Sequence, residues 1–299
     1  MACWSSTPAH EPCTLAFPSP ERYAWGVSAA LPVARITIDP RTGIRLPAED
    51  PELLGLGLRD LVKRWAAAKN LPPMAAEAMT GADRKAQALG VPGGRLMEQA
   101  GTAVAAAVRA VAADQGRLGQ GPILVMCGPG NNGGDGFVAA RKLAHLGLAV
   151  LVVFVAPEAK PGTRDAGVNW DRLANEPTVT RIHAPSPRDL AILGQGIEKA
   201  SVIVDALLGT GVRGALRDPI RTAVEMIQRA AAAGVPVVAV DTPTAVDLTS
   251  GEASEPAVRA DLTVTFHRPK TGLLTRRGAA LAGKVLVAPI GIPLEADRA

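Results

Sequence analysis

Apolar residues recur along this chain with two periods, and their order predicts the architecture. Short unbroken apolar runs of strand length occupy 123–127, 149–155, 201–204 and 235–240, with two further runs at 262–266 and 285–288. Between them lie stretches with helical spacing, at 135–146, 163–173, 187–199 and 220–233. Continuous apolar strands alternating with amphipathic helices are the pattern of βαβ units, whose sheet is covered on both faces. The predicted class is therefore α/β with a mostly parallel, doubly wound sheet. Upstream, 96–108 is a helix so rich in Ala and Gly that it can pack very closely, and Thr80 with Asp83 resembles an N-cap followed by an acid in the first turn.

The first 73 residues break this rhythm. Pro and Ser cluster before residue 21, Pro40 to Gly43 suits the turn of a hairpin over 35–46, and Leu58, Leu61, Val62 and Trp65 have helical spacing before Pro72-Pro73 breaks the chain. The expected division is an N-terminal extension, 1–73, followed by one α/β domain, 74–299. Met74 and Met79 are alternative natural starts.

Composition narrows the function classes. Aromatic residues make up 3% of the 299 residues against 47% hydrophobic overall, so the core is built from Val, Ile, Leu and Ala, and there is little with which to stack single-stranded nucleic acid. The net charge of +4 comes from scattered Lys and Arg rather than a run. No apolar run reaches roughly 18 residues, so no membrane span is expected. Three cysteines without metal or redox spacing, and no basic-then-apolar leader, point to a reducing, cytoplasmic setting.

The chemistry collects where strands end, which is where open α/β sheets bind ligands. After 123–127 comes Gly128-Pro-Gly-Asn-Asn-Gly-Gly-Asp-Gly136, a strand–turn–helix passage in which five glycines let the backbone take positive φ or approach a ligand. After 201–204 comes Asp205-Ala-Leu-Leu-Gly-Thr-Gly-Val-Arg-Gly214, and after 235–240 comes Asp241-Thr-Pro-Thr-Ala245. Gly128, Gly130 and Gly133 formally satisfy G-x-G-x-x-G. Yet the next strand ends without the acid that holds the ribose hydroxyls, and Asp135 stands at the expected helix start, where it repels a pyrophosphate. A redox NAD site therefore fits poorly. Asn131, Asn132 and Asp135 either face a ligand or tie the loop to itself. Asn132, Asp205 and Thr244 supply oxygens suited to a hard cation or to a water-bridged turn network. The 209–214 loop either wraps a phosphate with its N–H groups and Arg213 or is a plain connection. His145, His183 and His267 have no partner at ligand spacing.

Several ordered motifs together resemble the NAD(P)H-hydrate epimerase family, the YjeF N-terminal domain. They are Leu96-Met-Glu-Gln-Ala-Gly101, the run from Gly130 to Leu143, Val204-Asp-Ala-Leu-Leu-Gly-Thr-Gly211, Ala260-Asp-Leu-Thr-Val-Thr-Phe266 with Lys270 and Gly272, and Ile290-Gly-Ile-Pro293. The resemblance covers roughly residues 79–293. It implies a Rossmann-like three-layer αβα sandwich, usually a homodimer, that interconverts the R and S forms of hydrated NADH or NADPH. The nucleotide is then substrate rather than cofactor. It also implies substrate contacts from Asn131, Asn132, Gly133, Gly134, Asp135, Gly209, Thr210, Gly211, Val212, Arg213, Gly214, Ala215 and Asp241, and a potassium ion on Asn132, Asp205 and Thr244. Asp241 is the expected proton shuttle. The kinase-like dehydratase often fused in this family is not in the chain, so a separate NAD(P)H-hydrate dehydratase is the expected pathway partner. One departure stands out: the family's third loop usually reads Asp-Ile-Pro-Ser-Gly. Ala245 here replaces that Gly, which strains the loop if the position needs φ > 0. That change and the long leader favour an alternative, a catalytically silent member that binds a nucleotide or a protein.

Overall fold

The computed structural model describes residues 37–210 and 214–297. Seven parallel strands form one sheet: β1 (Ile123–Cys127), β2 (Val150–Val155), β3 (Val179–Ala184), β4 (Val202–Ala206), β5 (Val237–Val240), β6 (Leu262–Phe266) and β7 (Lys284–Ala288), in the order β3-β2-β1-β4-β5-β6-β7. The helices are α1 (Leu58–Arg64), α2 (Ala66–Lys69), α3 (Ala76–Ala88), α4 (Gly93–Asp114), α5 (Asn131–His145), α6 (Arg164–Arg172), α7 (Pro187–Leu193), α8 (Ile220–Ala232) and α9 (Arg276–Ala282).

Each central strand feeds two cores in strict alternation. Ile123, Val125 and Cys127 of β1 point into one, with α4, α5 and α6; Leu124 and Met126 point into the other, with α7 and α8. All five are buried. This explains the unbroken apolar runs, because a strand covered on both faces has no polar side to show. The result is the three-layer αβα sandwich. Buried Leu53, Leu61, Trp65 and Ala68 join the α4–α5 core; α1 supplies Leu61, and Trp65 caps its end, where helical spacing predicted a helix.

α4 and α5 do pack very closely. A Cβ on Gly101 would lie 2.4 Å from Val138 Cβ and 2.6 Å from the Asp135 carbonyl oxygen. Across the same seam Glu98 of α4 accepts from Arg141 (2.6 Å) and pairs with Lys142 (2.7 Å) of α5.

Five expectations need correction. β3 has no apolar run to reveal it: as an edge strand, Val179-Thr-Arg-Ile-His-Ala184 is only half-buried. Thr80 is not an N-cap but lies inside α3, its hydroxyl donating to the Ala76 carbonyl at 3.1 Å. The helix expected over 187–199 breaks after Leu193 at Gly194 and the left-handed Gly196, leaving a separate turn at Ile197–Lys199. α5 begins at Asn131, four residues before the expected start. The hairpin shrinks to a bridge between Ile38 and Arg45 around the left-handed Gly43; its Arg35 and Ile36 lie outside the described residues.

Candidate active site

Chain direction reverses its spread between β1 and β4: β2 and β3 lie to one side, β4 to β7 to the other. Ligands of open α/β sheets bind beyond the carboxyl ends of the strands at such a point. All the strands being parallel, the segments after β1, β4, β5 and β6 emerge along one edge.

The first segment is pinned to the second by backbone. Gly128 N–H donates to the Ala206 carbonyl at 3.0 Å, a Cβ on Gly128 would fall 1.9 Å from the Leu207 carbonyl oxygen, and one on Gly133 would fall 2.0 Å from that of Gly128. None of the five glycines has positive φ. Gly128 and Gly133 are required for proximity to backbone and Gly134 and Gly136 for proximity to side chains of Met97, Ala206 and Cys127, while a Cβ on Gly130 would meet nothing within 4 Å. Asn131, Asn132, Gly133, Gly134 and Asp135 form the first turns of α5, not a loop before it. Helix geometry leaves the N–H groups of the opening turn without intrahelical partners, so this turn offers donors to an anion. Asp135 lies a turn further in and does not occupy that position, which removes the charge argument made from sequence.

Asp135 faces other carboxylates instead. Burial raises its pKa well above the usual range, and the neighbouring charges of Asp241 and Asp83 push in the same direction. The residue still has partial access to the crevice. Asn132 is 9% exposed; its Oδ1 would lie 3.0 Å from a Cβ on Gly209, and its Nδ2 has no hydrogen-bond partner.

Asp205 and Thr244 do meet. The fully buried Asp205 accepts from the Thr244 N–H (2.7 Å), the Thr244 hydroxyl (2.7 Å) and the Leu207 N–H (3.3 Å). Leu208 N–H in turn donates to Thr244 Oγ1 at 3.1 Å. Burial still outweighs these bonds and lifts the Asp205 pKa to about 6. No cationic side chain among the described residues pairs with it, and Asn132, Asp205 and Thr244 offer oxygen donors of the kind a hard cation takes. Further along, Gly209 and Thr210 follow β4, and Gly214 (φ 87°) with Ala215 stands exposed, Gly214 accepting from the Ser254 hydroxyl at 2.7 Å. Gly211, Val212 and Arg213 lie outside the described residues.

Asp241 ends β5 in a left-handed conformation, φ 61°, with its N–H donating to Val264 at 2.8 Å. Its Oδ1 accepts from the Thr265 hydroxyl (2.9 Å) and from Lys270 Nζ (3.3 Å). Lys270 is fully buried, and burial lowers its pKa while Asp241 opposes the shift. Lys270 and Thr265 escaped sequence reasoning as site residues because the contact joins β5 to β6. The available signal was a lysine just past an apolar strand. Ala245 has φ 77°, so the position does require the left-handed region that the sequence comparison raised. His145 and His183 bond Glu176 and the Ala156 carbonyl away from these groups, and His267, near Lys270, bonds Asp297.

A separate cleft of about 510 Å³ lies at the opposite edge, where Val235, Pro236 and Asp261 precede β5 and β6. It holds none of these groups; the convergence of Asp135, Asp205, Asp241 and Lys270 marks the chemistry at the carboxyl edge.

Residues 93–272 match the family model described as YjeF-related protein N-terminus, a span that includes every site residue named above. A bifunctional NAD(P)H-hydrate repair enzyme of Pyrobaculum aerophilum is 44% identical over 216 residues, 72% of this chain and 41% of that protein. The chain thus spans about two fifths of such bifunctional relatives. An NAD(P)H-hydrate epimerase of Cenarchaeum symbiosum is 36% identical over 203 residues, 68% of this chain and 87% of that one. The crystal structure of yeast ynu0 superimposes with a TM-score of 0.58 at 27% identity, covering 68% of this chain and 83% of the other. By the family match and these identities, the chain belongs to the YjeF-related N-terminal family.

Proposed function

We propose that the protein interconverts the R and S epimers of hydrated NADH and NADPH. The observation that carries this reading is the state of Asp241: both of its side-chain hydrogen bonds among the described residues fall on Oδ1, leaving Oδ2 for a ligand in the crevice. The names of the relatives supply the substrate class.

The hydrate carries a hydroxyl on the ring carbon next to nitrogen. Protonating that hydroxyl releases water and leaves a planar iminium, which water attacks from either face with loss of a proton. One carboxyl serves both steps: Asp241 gives its proton to the departing hydroxyl and, as carboxylate, takes one from the incoming water. General acid–base groups of this kind contribute about 10²- to 10⁴-fold. The N–H groups of Asn131, Asn132 and Gly133 at the start of α5 suit the pyrophosphate; Asp135, Gly209, Thr210, Gly214 and Ala215 border the rest of the nucleotide.

A potassium ion on Asn132, Asp205 and Thr244 suits the all-oxygen donor set and the buried, unpaired charge of Asp205. Bound there, it would supply positive charge beside the phosphates. The resemblance further implies a homodimer and a partner dehydratase acting on one epimer.

The test supplies pure R epimer together with a dehydratase specific for S. Wild type accelerates consumption of R; Asp241→Asn slows this by at least about 100-fold. A wild type that binds the hydrate without accelerating its loss establishes the silent alternative instead.

A further inference from the structure

Lys270 is the largest cationic side chain of the interior, and nothing in the proposed chemistry yet uses it. It follows β6, is 0% exposed, and its Nζ meets four oxygens: the Phe266 carbonyl (2.7 Å), Thr265 Oγ1 (3.0 Å), Asp241 Oδ1 (3.3 Å) and the Arg268 carbonyl (3.3 Å). An ammonium has three protons to donate, so this shell saturates it and leaves no donor for a substrate. Three of the four acceptors are dipoles and one, Asp241, carries charge. A lysine placed this deep costs several kcal/mol in lost hydration unless it is paired, and Asp241 is its one anionic partner among the described residues.

The backbone around it is held from outside the sheet. Met74 N–H donates to the Pro269 carbonyl at 2.9 Å, and Thr271 N–H donates to the Met74 carbonyl at 3.1 Å, so the chain before α3 brackets Lys270 on both sides. On the far side, His267 and Arg268 both bond Asp297, which Arg41 also engages at 2.8 Å. Lys270 is thus seated by rigid surroundings, while Asp241 stands in a strained left-handed conformation.

We propose that Lys270 is the positioning residue of Asp241: with Thr265 it fixes Oδ1, so that Oδ2 is the one oxygen presented to the ligand, and its ammonium is the positive charge beside that carboxyl. The charged or titratable groups around this pair are Asp135 of α5, whose pKa burial and the Asp241 charge raise, and His267 just past β6, whose pKa burial lowers to about 4, so that it is neutral at pH 7. This inference deepens the epimerase reading, but one of its readouts does not depend on activity.

Lys270→Met removes the charge at similar length, and Thr265→Val removes only the hydroxyl. In NMR titrations the Asp241 carboxyl carbon, assigned by its loss in Asp241→Asn, titrates about one pH unit higher in Lys270→Met than in wild type, and by a smaller step in the same direction in Thr265→Val. In the coupled epimerase assay Lys270→Met lowers kcat about 30-fold or more with KM within threefold. Lys270→Arg restores part of the kcat. Unchanged Asp241 midpoints in a folded Lys270→Met overturn the proposal; if that variant does not fold, an unchanged midpoint in Thr265→Val does so. Wild type inactive on both hydrates defeats the functional reading alone, since the titration still decides the role of Lys270.

Discussion

After β1 the chain places five glycines in nine residues, and all of them have ordinary negative φ; after β5 it runs Asp241-Thr-Pro-Thr-Ala245 with no glycine, and two of those five residues are left-handed. Glycine does two separate things, freeing φ and removing Cβ. The first segment uses only the second property, because it lies backbone to backbone against the segment after β4. The other segment has room for side chains and places them in conformations that cost energy. Strain of this kind persists where surrounding contacts over-determine it. Here the contacts are the Asp205–Thr244 bonds and the Thr265–Lys270 cradle. One segment shapes a rigid floor for a ligand, and the other aims a carboxyl at it.

Substitutions can break that contrast, beginning with the floor. Gly133→Ala sets a methyl 2.0 Å from a backbone oxygen that cannot rotate away. The expected loss is about 3 kcal/mol or more in urea denaturation, at the upper end for overpacking. Gly130→Ala is the control within the same segment, since a Cβ there meets nothing within 4 Å; it costs at most about 1 kcal/mol, the scale of an N-cap change. Equal losses for the two would remove proximity as the reason for these glycines.

Asp205 lies between the two segments and supplies a pH test. Its folded pKa of about 6 exceeds the ordinary aspartate value of 3.8. The native state therefore holds a proton that the unfolded chain has released, and stability falls as pH rises from about 4 to about 6. At about 1.4 kcal/mol per pKa unit the change is on the order of 3 kcal/mol. Potassium binding to the carboxylate opposes the fall, so denaturation in potassium chloride has a shallower slope across this window than in tetramethylammonium chloride at equal ionic strength. Identical slopes in the two salts would exclude the ion at Asp205.

The smallest effect belongs to the strained segment. Ala245→Gly relieves a left-handed Cβ worth roughly 1–2 kcal/mol but frees the unfolded chain by about 0.4–1 kcal/mol. A net gain of about 0.5 kcal/mol is expected, read as a small rise in the urea midpoint at constant slope. A loss would mean that the Ala245 methyl, which packs beside the α8-side core, matters more than its dihedral.

The sequence by itself determined the class of fold and the three strand ends that carry chemistry. Periodicity is a local property, and strands buried on both faces cannot hide it; β3 was missed because an edge strand is under no such demand. Sequence also placed Asp205, Asp241 and Thr244 at or just beyond their strand ends, and the family resemblance raised Ala245 as strained if its position needs positive φ. Only the tertiary structure decided why the glycines after β1 are glycines, since that reason lies in the Leu207 and Gly128 carbonyls opposite them. It alone moved Asn131 to Asp135 into α5, because a helix start is fixed by hydrogen bonds rather than by side-chain preference. It alone joined Lys270 to Asp241 across 29 residues, because which oxygen a buried ammonium finds is settled by the stacking of β5 on β6 and leaves no period in the chain.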